Sequence, residues 1–276
     1  ISGNGSAGVL IKNFGTTGNR VLGNTVGTDA AGTHAIPNAL DGVAIAFAAS
    51  GNFVGGEAPG EGNLIGGNSR AGVRMQDSGT TGNRVAGNTI GSATGLPGNQ
   101  GGGVEFTTES QGNILGPNNS IAFNAAPGVI IRGANTLRNT ITRNLIRHNA
   151  GLPIDLVDSP QPIGPVGAPV LGQWAVEGST LRGKACAGCR VEIYANPDAQ
   201  PAGTVYLAAA TANPAGEFTE QRRRGVVADR QLAGEGRLLD HAEHEAEHVV
   251  EQGGDDAAMA AARGALVRRP QGDQCL

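Results

Sequence analysis

The stretch Gly72-Val73-Arg74-Met75-Gln76-Asp77-Ser78-Gly79-Thr80-Thr81-Gly82-Asn83-Arg84-Val85-Ala86-Gly87-Asn88 decides the fold. It opens on Gly-apolar-x-apolar and closes on two Asn five residues apart about a single apolar residue. Gly-apolar-x-apolar recurs at Gly8-Val9-Leu10-Ile11, Gly42-Val43-Ala44-Ile45, Gly103-Val104-Glu105-Phe106, Gly128-Val129-Ile130-Ile131 and Gly151-Leu152-Pro153-Ile154, at intervals of 34, 30, 31, 25 and 23 residues. The Asn pairs recur as Asn19/Asn24, Asn63/Asn68 and Asn119/Asn124, and Asn139, Asn144 and Asn149 keep the five-residue beat. Two apolar residues two apart form a short strand with one buried face. A unit of roughly 23 residues has room for two or three such strands but no core of its own, so it must share one with its neighbours by stacking.

Stacking pairs each strand with its equivalent about 4.8 Å above and below. The spacing predicts a right-handed parallel β-helix of about six coils over residues 1–158. Gly and Asn suit its corners because both tolerate left-handed backbone, and the Asn amide can bond a neighbouring chain. The longer intervals place insertions at Thr28–Asp41, Ala58–Gly62 and Ser92–Gly102. Aligning the six tetrapeptides puts Val9/Ile11, Val43/Ile45, Val73/Met75, Val104/Phe106, Val129/Ile131 and Leu152/Ile154 inside. Two outward columns follow: Leu10, Ala44, Arg74, Glu105, Ile130, Pro153, and Lys12, Ala46, Gln76, Thr107, Arg132, Asp155. On this face the candidate substrate-binding residues are Lys12, Arg74, Gln76, Glu105, Arg132 and Asp155, with Arg74 one rung from Glu105 and Arg132 one rung from Asp155.

Composition agrees with a folded repeat protein. The 276 residues include 46 Gly without collagen periodicity, and 39% are hydrophobic, too many for a disordered linker. With 20 Lys+Arg against 24 Asp+Glu, nucleic acid is not an expected partner. No apolar run approaches a membrane span. The chain opens at Ile1-Ser2-Gly3-Asn4 with no apolar leader, and Ile1 falls in mid-coil, so the parent helix is expected to extend upstream.

The runs Gly23-Asn24-Thr25-Val26-Gly27-Thr28-Asp29-Ala30-Ala31-Gly32-Thr33, Val54-Gly55-Gly56 and Gly151-Leu152-Pro153-Ile154-Asp155-Leu156 resemble those of bacterial secreted right-handed β-helix repeat proteins, with pectate-lyase-like and nitrous-oxide-reductase-accessory-like repeats. The resemblance extends to about residue 219. It implies an extracellular or cell-surface protein, with polysaccharide or cell-envelope components as partners, but carries no catalytic motif that maps onto this chain. Two function classes follow: a non-catalytic scaffold that binds polymer, or a polysaccharide lyase, hydrolase or epimerase working on the outer strand face. A lyase of this kind would hold calcium, yet the helix has only eight acids in residues 1–155, no two within three positions, and no Trp or Tyr. No cofactor and no catalytic residue is assigned; the weak acid content and the missing aromatics favour the scaffold.

Residues 159–219 carry Trp174 and both Tyr and read as a small β-sandwich-like domain, whole or incomplete, with strands at Gln173–Leu181, Arg190–Tyr194 and Thr204–Ala209. Cys186 and Cys189 stand at the turn before the clearest strand, as a local disulfide or a pair of free thiols. Residues 220–276 have no Asn and no aromatic, and are expected to be poorly structured or helical. Gln221-Arg222-Arg223-Arg224 opens a switch in composition that a change of reading frame would produce. His244-Glu245-Ala246-Glu247-His248 matches the zincin pattern, but low complexity, the charged Glu247 and the lack of a third ligand argue for a solvated helix rather than zinc at His244/His248.

Overall fold

The computed structural model describes residues 1–91, 98–158, 180–184, 187–188, 190–195, 205–221 and 265–268. The chain divides into two units, Ile1–Gly164 and Pro165–Leu276. Among the described residues there is no helix, and hence none long and apolar enough to cross a membrane.

The first unit is a right-handed parallel β-helix of three sheets. One contains β1 (Val9–Lys12), β4 (Val43–Ala46), β7 (Val73–Gln76), β10 (Val104–Thr107), β13 (Val129–Arg132) and β16 (Ile154–Val157), stacked in that order. The second stacks β2 (Arg20–Val21), β5 (Phe53–Val54), β8 (Arg84–Val85), β11 (Ile114–Leu115) and β14 (Thr140–Ile141). The third stacks β3 (Thr25–Val26), β6 (Leu64–Ile65), β9 (Thr89–Gly91), β12 (Ser120–Ala122) and β15 (Leu145–Arg147). Every pairing within them is parallel.

Each sheet sends one or two side chains per coil inward, because successive residues of a strand face opposite ways. Val43, Val73, Val104 and Val129 form one buried column and Ile45, Met75, Phe106 and Ile131 the next. The second sheet contributes Val54, Val85 and Leu115, and the third Val26, Ile65, Ile90, Ile121 and Ile146. No coil could bury these residues alone.

Three asparagine ladders bind the corners. In the first, the Nδ2 of Asn19, Asn52, Asn83 and Asn113 donates to the Oδ1 of Asn52, Asn83, Asn113 and Asn139 at 2.9, 3.0, 3.0 and 3.1 Å. The second runs Asn24, Asn63, Asn88, Asn119, Asn144. The third runs Asn4, Asn38, Asn68, Asn99, Asn124, Asn149. The five-residue beat therefore marks consecutive corners of one coil, each belonging to a different ladder. The chain leaves the first sheet through a left-handed residue in every coil: Asn13, Phe47, Asp77, Thr108, Gly133 and Asp158.

In the sixth coil the register differs from the sequence reading by two residues. Val129 pairs with Ile154 and Ile131 with Leu156, so the inward pair is Ile154/Leu156 rather than Leu152/Ile154. Pro153 takes the place that Gly128 holds below it, its carbonyl accepting from Val129 N at 2.9 Å, and Leu152 is exposed. A proline lacks the N–H that an interior rung would donate, so it is tolerated at this last rung. The insertions are also shorter than read: Thr28 bridges Ala35, while Asn38 and Asn99 already belong to the third ladder.

In the second unit β17 (Thr180–Lys184) pairs antiparallel with β20 (Glu217–Gln221), and β18 (Arg190–Ala195) pairs antiparallel with β19 (Val205–Thr211) and with β21 (Ala265–Arg268), the strand that the tail contributes. Val191, Ile193, Ala210, Ala212 and Phe218 form its core. A side chain at Gly183 would lie 2.6 Å from the Phe218 ring, which explains a glycine in mid-strand. Cys186, Cys189, Trp174, His244 and His248 lie outside the described residues, as does the first part of the expected strand at Gln173–Leu181.

Candidate functional site

The outward face of the first sheet is the candidate site. Its columns, in the observed register, are Leu10, Ala44, Arg74, Glu105, Ile130, Asp155, and a second in which Lys12 aligns with Ala46, Gln76 with Thr107, and Arg132 with Val157. Asp155 thus sits beside Ile130, and Arg132 is not one rung from Asp155 but beside Val157.

On this face the charges alternate in sign from coil to coil. Arg74 Nε donates to Asp41 Oδ1 at 3.1 Å, and Arg74 Nη2 lies 2.8 Å from Glu105 Oε2. Arg132 Nε approaches Glu105 Oε1 at 3.6 Å and Arg132 Nη1 approaches Asp158 Oδ2 at 3.8 Å. The run Asp41, Arg74, Glu105, Arg132, Asp158 draws one residue from each of five successive coils. It is most buried at its start, where the side chains of Asp41 and Glu105 are 7% and 11% exposed and that of Arg74 19%.

Burial pushes the Asp41 carboxyl up from its ordinary value, a shift opposed by the Arg74 guanidinium and by the Ala71 N–H that donates to Oδ1 at 3.1 Å, and reinforced by Glu105. A raised carboxyl suits a general acid. Here, however, the group is enclosed and one oxygen carries two donors. Arg74, shared between two carboxylates, is neutralised where it stands.

Of the residues singled out in the sequence, Arg74, Glu105 and Arg132 come together. Gln76 instead reaches its neighbour Asp77 at 3.4 Å, and Lys12 stands exposed in the first coil. Asp155 is outward but takes no part in the run. Two members escaped the sequence reading. By sequence Asp41 ends an insertion, although it stands where other coils carry Ala7, Ala71, Gly102 and Pro127. Asp158 was hidden by the register of the sixth coil.

Elsewhere on the unit, Asp29 organises the loop after β3. Its Oδ1 accepts from Thr33 N at 2.6 Å and its Oδ2 from Thr33 Oγ1 at 2.9 Å and contacts His34 Nδ1 at 3.0 Å. The Thr33 N–H, followed by His34, holds this carboxyl well below the usual carboxylate range. Arg20 stacks over Phe53 at 5.4 Å. Among the described residues no group of three or more His, Cys, Asp or Glu is placed to hold a metal ion.

No protein-family model matches the chain. No curated protein matches it either.

Proposed function

We propose that the chain is part of a non-catalytic extracellular or cell-surface scaffold, a β-helix whose outer faces and insertions present binding groups to a polysaccharide or another envelope polymer. The observation that carries this reading is Arg74, held between Asp41 and Glu105. A polymer-cleaving face needs carboxylates and cations free to meet substrate, whereas the most buried ones here satisfy one another across coils. Location outside the cell rests on the resemblance of the repeats to secreted β-helix proteins.

The competing reading is a polysaccharide lyase, hydrolase or epimerase in which the raised Asp41 and its neighbour Glu105 act on substrate. Incubation of the protein with polygalacturonate, alginate and neutral glucans separates the two. The scaffold reading expects no new reducing or unsaturated chain ends. Product formation that disappears with Glu105→Gln would overturn it.

A further inference from the structure

We propose that the third-sheet edge of the fourth and fifth coils, built by Phe123, Arg143, Arg147 and His148, binds an acidic polysaccharide. This rests on the scaffold reading and deepens it by naming a ligand class, and places the ligand on the third sheet rather than the first.

The sequence is asymmetric here. No Asp or Glu stands between Glu109 and Asp155, while Arg132, Arg138, Arg143, Arg147 and His148 all fall within that interval. Arg132 is drawn off into the charge run on the first sheet. The other four surround the second- and third-sheet strands of the fifth coil.

Their backbone is unusual. The residue before a ladder Asn is left-handed at most corners, and in earlier coils it is glycine, as at Gly67 (φ 69°), Gly87 (φ 68°) and Gly112 (φ 63°). In the fifth coil the same corners carry Arg138 (φ 59°), Arg143 (φ 50°) and His148 (φ 52°), and two corners of the fourth carry Asn118 (φ 64°) and Phe123 (φ 57°). Side chains at positive φ are disfavoured, and such outliers gather where a side chain is needed for binding. All three corners of one coil have exchanged glycine for a basic residue.

The geometry makes two of these corners one site. Arg143 precedes β15 and His148 follows it, so about 17 Å of backbone at most separates them. Arg147 lies between, on the side of β15 opposite the buried Ile146, and its Nε is buried without a hydrogen-bond partner among the described residues. Phe123, a residue 40% exposed, stacks its ring on His148 with centroids 5.1 Å apart and planes 25° from parallel. Asn118 N donates to Arg143 O at 2.8 Å and Phe123 N to His148 O at 3.1 Å, which locks the two coils together at both ends of the patch.

A stacked ring pair on the same sheet edge as two arginines matches a sugar ring that bears a carboxylate or sulfate: the ring face stacks and the anion takes guanidinium N–H donors. Nucleic acid fits less well. Its charge density rewards a basic surface much longer than this edge, and the chain as a whole carries a net charge of −4.

The test is affinity electrophoresis of the full chain at 150 mM salt against polygalacturonate, dextran sulfate, neutral dextran and duplex DNA. Both acidic polymers should retard the protein and neutral dextran should not. Arg143→Gln/Arg147→Gln should weaken binding at least tenfold. Phe123→Gly, chosen because glycine suits that φ, should weaken it severalfold with an unchanged circular dichroism spectrum. Arg20→Gln/Arg70→Gln, which removes the same charge elsewhere, should leave binding intact. Wild-type affinity in Arg143→Gln/Arg147→Gln, an equal loss in Arg20→Gln/Arg70→Gln, or DNA bound as tightly as polygalacturonate would each overturn the proposal. Failure of the scaffold reading shows instead as polymer cleavage, which this experiment does not require.

Discussion

Arg74 Nη2 lies 2.8 Å from Glu105 Oε2 on the next coil, a cross-coil ion pair whose two side chains are mostly buried. Neither residue has its partner nearby in sequence, so the contact exists only when the third and fourth coils are stacked in register. Slipping the register by one residue would turn Arg74 toward the apolar interior. The pair is therefore a marker of correct stacking as well as a contact.

The asparagine ladders should be strongest in their middle. Asn88 donates to Asn119 Oδ1 at 3.0 Å, to Val54 O at 2.9 Å and to Ala86 O at 2.9 Å, and accepts from Asn63 Nδ2 at 2.8 Å, all in buried surroundings. Asn88→Ala removes these partners at once and is expected to destabilise the unit by about 2–3 kcal/mol. Asn4 is an exposed first rung, and Asn4→Ala should cost less than about 1 kcal/mol. Urea denaturation of the two variants checks the contrast.

Two glycines with the same backbone should differ sharply. A Cβ on Gly87 (φ 68°) would lie 1.9 Å from Gly56 O, whereas one on Gly18 (φ 72°) meets nothing within 4 Å. Gly18→Ala should show only the left-handed penalty, roughly 1–2 kcal/mol. Gly87→Ala must also displace the neighbouring coil, and is expected to lose more than about 4 kcal/mol. Equal melting shifts for the two variants would contradict the close stacking at that corner.

The pH response of Asp41 has a definite sign. Its folded-state carboxyl is raised above the ordinary value, chiefly by burial, so the folded protein takes up this proton before the unfolded chain does. The stability disadvantage is full above the raised value and fades as pH falls through it. Asp41→Asn keeps the shape and removes the charge. The stability of the wild type relative to this variant should therefore improve on acidification from neutral pH. Asp29, held low, acts the other way: its contribution is present above the ordinary carboxylate range and is lost on acidification below it. Parallel denaturation series for Asp41→Asn and Asp29→Asn read both signs.

Much of the fold was legible because it depends on local pattern. Val73 and Met75, or Val104 and Phe106, declare a strand and its inward face within four residues, and Asn83 and Asn88 declare corners. The sixth coil misled because Leu152-Pro153-Ile154 imitates the repeat, while the rung is set by Pro153 carbonyl bonding to the coil below, which the local pattern does not encode. The site was harder for a related reason. Arg74 and Glu105 were recoverable from column alignment, but Asp41 joins them from the approach to its strand, and its role depends on where side chains 33 residues apart end up. Phe123 and His148 were legible only as corner positions, and their stacking is a product of the coil rise.

The most direct test of the central claim, that Arg74 serves the stack and not a ligand, is the denaturation midpoint of Arg74→Met beside that of Asp41→Asn/Arg74→Met/Glu105→Gln. Removing the arginine alone leaves Asp41 enclosed without a cation and Glu105 with only the more distant Arg132 at 3.6 Å, an expected loss of about 3–5 kcal/mol. Neutralising all three should recover most of that loss, because replacing a whole buried ionic group is often close to neutral. A single variant as stable as the wild type, or a triple variant no more stable than the single, would contradict the account.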